Sequence, residues 1–151
     1  MALTGKLEAD VELKAPADKF FNIIRSETHQ IPNAASDKVH NVEVHEGDWE
    51  ADGSVKLWKY TVEGKDEIFK EKITVDEANK SVTLVALEAH VMEEFKSYKI
   101  VFGVTPMSDQ SSVVKITLDY EKLNENIPDP NQYLQFLMNV IKDIDAHLLK
   151  A

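Results

Sequence analysis

Leu7, Ala9, Val11 and Leu13 alternate with Lys6, Glu8, Asp10, Glu12 and Lys14. This period of two predicts a strand with one buried face. Pro16 opens a short helical piece over residues 17–24, with Phe20, Phe21, Ile23 and Ile24 as its apolar content. A second piece over 26–31 is expected to stop at Pro32-Asn33. Neither is long enough to persist alone, so both must lean on something larger. From Val39 the chain changes to six alternating runs, over 39–46, 54–62, 67–75, 81–88, 94–105 and 113–122. The alternation falters near Ile68-Phe69, which predicts a bulge there. Short connections between the runs predict an antiparallel meander.

The last stretch, 128–150, reads as one long helix. Asp129 stands at the N-cap, Pro130 at the first helical position and Gln132 where a capping box takes Glu or Gln. At about 100° per residue, Tyr133, Leu134, Leu137, Val140, Ile141, Ile144 and Leu148 share an arc of roughly 120°, flanked by Phe136 and Met138. The predicted fold is α+β: a seven-stranded curved antiparallel sheet around a long C-terminal helix, with two short helices after the first strand, as one domain over 1–151. A helix of this length is about 30 Å long and about 10 Å wide, too thin to fill the concavity of such a sheet. A mostly apolar cavity is expected between them.

Composition narrows the partners. With 17 Lys+Arg against 27 Asp+Glu, the net charge of −10 repels phosphate backbones and anionic membranes, so no nucleic acid partner is expected. Absence of cysteine excludes disulfides and thiolate metal sites. No signal pattern, lipidation motif or membrane-length apolar run occurs, so a cytoplasmic protein without membrane anchoring is expected.

The element order, the loop Gly47-Asp48-Trp49-Glu50-Ala51-Asp52-Gly53-Ser54-Val55-Lys56, the strand end Val104-Thr105-Pro106 and the helix start Asp129-Pro130 resemble the plant Bet v I superfamily. Leu3-Thr4-Gly5-Lys6-Leu7-Glu8 and Gly47-Asp48-Trp49 resemble its major latex protein branch. The resemblance covers the whole chain and implies a helix-grip fold, a V of two short helices, and a large cavity for lipids, steroids or flavonoids. It also implies a defence- or stress-related role. There are departures. The loop keeps only Gly47 and Gly53, too few successive free N–H groups for a phosphate nest. Glu63-Gly64-Lys65 stands where the related hormone receptors carry a Ser-Gly-Leu-Pro-Ala gate. The Lys, Tyr and acidic set of the alkaloid synthases finds no residue-by-residue match.

Ligand-binding candidates are the aromatics Trp58, Tyr60, Tyr98, Phe102, Tyr133 and Phe136, with Val82, Leu84, Ile100, Leu137, Val140 and Ile141 supplying apolar surface. Simple core packing is the other reading of these positions. Ile24, His29 and Ile31 are placed at the cavity mouth. Arg25, Lys38, Lys56 or Lys65 could meet an anionic head group there, against the plainer reading of solvated charge. For acid–base work the candidates are Glu67, Glu71, Tyr98 and Tyr120, with the facing of Glu71 left open. No catalytic residue is assigned. The five histidines lack helical metal spacing, so no metal and no cofactor is expected. The function expected is a non-catalytic carrier of a small apolar or amphipathic ligand: a lipid, lysophospholipid, fatty acid or steroid-like molecule. An enzyme using the same cavity, for condensation or weak RNA cleavage, is the alternative. A monomer is expected, with a weak dimer as the other state considered.

Overall fold

The computed structural model describes residues 3–150. β1 (Thr4–Leu13) leads into α1 (Ala17–Ser26), a 3₁₀ turn (Thr28–Gln30) and α2 (Ile31–Ala34). Six strands follow: β2 (Val39–Glu46), β3 (Val55–Val62), β4 (Lys65–Asp76), β5 (Ser81–Ala89), β6 (Phe95–Pro106) and β7 (Ser112–Lys122). A 3₁₀ turn, His90–Glu93, separates β5 from β6, and α3 (Asn131–Lys150) closes the chain. The seven strands form one antiparallel sheet in the order β1-β7-β6-β5-β4-β3-β2. The meander is local; β1 joins it by pairing with β7, from Thr4↔Glu121 to Leu13↔Ser112.

One face of the sheet carries the core. Val11, Leu13, Val82, Phe95, Tyr98, Ile100, Val114, Ile116 and Leu118 are all buried. They face α1 and α3, whose Phe20, Phe21, Ile23, Ile24, Tyr133, Val140, Ile141 and Ile144 complete the same cluster. This is the one-sided burial that alternating strands need.

Three local expectations are corrected. The second short helix does not stop at Pro32 but runs through it to Ala34, because a proline in the first turn gives up an N–H that has no helical partner there. The bulge is not at Ile68-Phe69. Glu67, Phe69, Glu71, Ile73 and Val75 keep one parity, and the ladder slips instead where Lys70 and Glu71 face Glu88 and Ala86, leaving Leu87 as the extra residue on β5. The apparent fault in β4 was a carboxylate, Glu71, standing at an inward position. Asp129 does not cap α3: its carboxylate accepts from the Tyr120 hydroxyl at 3.0 Å and pairs with Lys122 at 2.9 Å. The Pro130 carbonyl instead receives the N–H groups of Tyr133 and Leu134. Asp145, which no sequence pattern singles out, lies on the buried side of α3 at 9% exposure. It accepts from the backbone N–H of Lys14 at 3.0 Å and of Ala15 at 2.9 Å, pinning α3 to the end of β1.

Candidate functional site

The cavity lies between α3 and the concave sheet. β3 contributes Trp58 and Tyr60; β4 contributes Phe69, Glu71 and Ile73; β5 contributes Val82 and Leu84; β6 contributes Tyr98, Ile100 and Phe102. From α3 come Tyr133, Phe136, Leu137, Val140, Ile141 and Ile144, and from the α1–α2 segment Ile24, Thr28 and Ile31. All twelve residues expected to bind ligand line it, as do Ile24 and Ile31. His29 does not. Its ring packs edge-on against Trp49, centroids 5.1 Å apart, so it braces the β2–β3 loop from outside the cavity. Open space amounts to about 110 Å³, room for on the order of eight water-sized groups.

Two polar clusters interrupt the apolar wall. The first ties α3 to β4. Tyr133 donates its hydroxyl to Glu67, 2.9 and 3.0 Å from the two carboxylate oxygens, and Tyr60 donates to the same group at 3.3 Å. Tyr98 stacks edge-on to Tyr133, ring centroids 6.4 Å apart. Burial above all pushes the Tyr60, Tyr133 and Tyr98 hydroxyls well above their ordinary range, helped by the Glu67 charge at Tyr60 and by the hydrogen bond to Glu67 at Tyr133. All three are therefore neutral hydroxyls rather than phenolate bases. Tyr133 also walls an outer polar depression with Glu63, Lys65, Glu67, His90 and Glu94. Its ring separates that depression from the cavity.

The second cluster is internal. Lys56 on β3 and Glu71 on β4 are direct cross-strand partners, and each is only 1% exposed. Trp58 Nε1–H donates to Glu71 Oε1 at 3.1 Å. Glu71 Oε2, Lys56 Nζ and Thr28 Oγ1 are buried without a hydrogen-bond partner among the described residues. Burial raises the Glu71 carboxyl to about 7, against the lowering pull of Trp58 and Lys56. Burial likewise lowers Lys56, opposed by the charges of Glu71 and Asp48. Lys56 is thus no mouth residue, and Glu71 faces inward. Both could be found by parity, since Lys56 shares the face of Trp58 and Tyr60, and Glu71 that of Phe69 and Ile73.

The other candidates serve the scaffold. Arg25 pairs with Glu77, and Lys38 pairs with Asp143 at 2.7 Å and Asp37 at 3.1 Å. Tyr120 packs edge-on to Phe95 and lies over Gly5, where a Cβ would come within 2.7 Å of its ring. In the β2–β3 loop, Asp48 Oδ1 accepts from the N–H groups of Glu50 at 2.9 Å and Ala51 at 2.7 Å. Those amides are therefore not free to cradle a phosphate. His90 Nδ1 accepts the Ile68 N–H at 2.9 Å, and no cluster of metal-ligating side chains occurs among the described residues.

A family model described as the pathogenesis-related protein Bet v 1 family matches residues 2–151. The chain belongs to that family. Among its Bet v 1 relatives, MLP-like protein 328 of Arabidopsis thaliana is 39% identical over 151 residues, covering all of both chains. The crystal structure of ginseng major latex-like protein 151 from Panax ginseng superposes with a TM-score of 0.93 at 39% identity, covering 97% of this chain and 98% of that one. A norcoclaurine synthase of Thalictrum flavum, solved with a transition-state analogue, shares the fold at 16% identity, with a TM-score of 0.73 and 97% of each chain covered. No helix among the described residues of this Bet v 1 chain is long and apolar enough to cross a membrane.

Proposed function

We propose that the chain is a non-catalytic cytoplasmic carrier of a small apolar or amphipathic molecule, of lipid, fatty-acid, lysophospholipid or steroid-like type. A defence- or stress-related role, as suggested by the family, is part of the same proposal. The observation that carries it is the cavity between α3 and the sheet, walled by aromatic and aliphatic side chains from β3, β4, β5, β6 and α3. Transfer of apolar surface from water into such a space is worth about 25 cal/mol per Å². Open space of about 110 Å³ holds a short chain as it stands. A longer or polycyclic ligand has to push α3 outward. Phe136 and Leu137, half-buried on the cavity side of that helix, are the first contacts to yield.

Titration with an apolar fluorescent dye tests the reading. One dye is expected to bind per chain and to be displaced by a lysolipid or fatty acid. A chain that takes up none of them at micromolar concentration is no carrier.

The enzymatic reading draws support from Glu71, an ionisable group in the wall of an apolar cavity, with the buried Lys56 opposite it in the ladder. It requires a cavity ligand whose turnover is abolished by Glu71→Gln. Unchanged turnover in that variant removes Glu71 from any such mechanism.

A further inference from the structure

The cavity is apolar on nearly every side, yet a carboxylate oxygen is buried in its wall without a partner. Glu71 receives one hydrogen bond, from Trp58 to Oε1. Oε2 has none among the described residues. An ionised carboxylate only accepts, so whatever satisfies Oε2 must bring a donor. Such an oxygen has given up its hydration with nothing in exchange, which is unfavourable until a donor reaches it. Lys56 does not discharge the debt: it sits opposite Glu71 in the ladder, but its Nζ makes no bond to the carboxylate and does not line the cavity. On the other side of Glu71, its β5 partner Ala86 is neutral.

We infer that the inner wall at Glu71 is a polar subsite that selects, among apolar ligands, those carrying a hydroxyl, and discriminates against those carrying a carboxylate. The inference rests on the carrier reading. A hydroxyl donates to Oε2 and keeps its own oxygen available to a donor. Thr28 Oγ1, also buried in the cavity wall without a partner among the described residues, offers one from the α1–α2 side to a ligand bearing a second polar group. A carboxylate head brings acceptors only and sets a second negative charge beside the first. Turning that head to the Tyr133–Glu67 end gains nothing, since Glu63, Glu67 and Glu94 stand there, so such a ligand binds weakly. The ligand class that fits is a long-chain or polycyclic alcohol.

The test compares 1-decanol with decanoate as displacers of an apolar dye at about pH 8, where Glu71 is ionised. In the unmodified protein decanol is expected to win, and the ratio of the two affinities is expected to fall about tenfold in Glu71→Gln, which keeps the shape and an acceptor for Trp58 but removes the charge. A second measurement needs no variant. As pH is lowered to about 6 and Glu71 takes up its proton, the same ratio narrows, while decanoate itself stays ionised. The groups facing Glu71 are Trp58 and Lys56, with Asp48 acting on Lys56 from the β2–β3 loop. If neither probe displaces the dye and the dye itself fails to bind, the carrier reading falls and this one with it. If both bind with a ratio that neither the substitution nor the pH change moves, the subsite alone is overturned.

Discussion

Tyr133 donates its hydroxyl to both oxygens of Glu67, at 2.9 and 3.0 Å, and so fastens the first turn of α3 to β4 where the cavity wall is also the wall of an outer depression. Tyr133→Phe keeps the ring and its contact with Tyr98 but removes the fastening. A hydrogen bond to a charged group is worth about 1.5–3 kcal/mol, and partial exposure of Glu67 places this one at the low end. The expected result is a loss of about 1.5 kcal/mol in urea denaturation, with dye release accelerated severalfold in stopped flow. Release at the unmodified rate would mean that ligands pass elsewhere.

Glu71 makes stability depend on pH in an unusual direction. Its folded pKa, about 7, lies above the ordinary value of the unfolded chain. Between the two, the folded protein holds a proton that the unfolded chain has released. Stability therefore falls as pH rises through this window, by about 3 kcal/mol in all, and the loss is complete above about pH 7. The lowered carboxylates Asp129 and Asp48 act in the opposite sense, and below this window. Denaturation curves from about pH 5 to 8 should show the decline, and Glu71→Gln should flatten it. An equally steep curve in the variant would assign the effect to another group.

Asp145 is the buried anchor between α3 and the end of β1. Asp145→Ala leaves the N–H groups of Lys14 and Ala15 without their acceptor. The expected cost is about 3 kcal/mol, and Asp145→Asn, which retains one acceptor, should recover part of it. Chemical denaturation of the two variants side by side measures this. A loss under about 1 kcal/mol for the alanine variant would show that packing alone holds the helix.

Leu137 faces the open space from α3. Leu137→Trp should fill much of the cavity. Dye affinity should drop at least about tenfold, while the melting temperature holds or rises as the void is filled. Full dye binding in this variant would place the binding surface outside the cavity.

The element order and the one-sided patterning of the strands were legible because period two and period 3.6 are written directly in β1, β6, β7 and α3. The lining was legible for the same reason: Tyr98, Ile100 and Phe102 share a parity, and Tyr133, Leu137, Val140 and Ile141 share an arc. What misled was polarity at inward positions. Glu71 made β4 look bulged, and Lys56 looked like a solvated rim residue, because charge ordinarily means exposure. Asp129 looked like a cap because its spacing fitted. Only the fold shows that Lys122 and Tyr120 claim its carboxylate. Asp145 carried no local signal, since its partners lie at the opposite end of the chain.

The pairing of β1 with β7 also fixes when the cavity can come into existence. β2 to β7 can zip as consecutive hairpins, each closing a short loop. β1 must wait for a partner that begins at Ser112, and α3 follows later still. Loops of that length close slowly, and non-local pairings set the pace of folding. A chain emerging from the ribosome therefore holds β1, α1 and α2 in suspense until β7 has been made. The cavity, which draws on both α1 and α3, is among the last features to form.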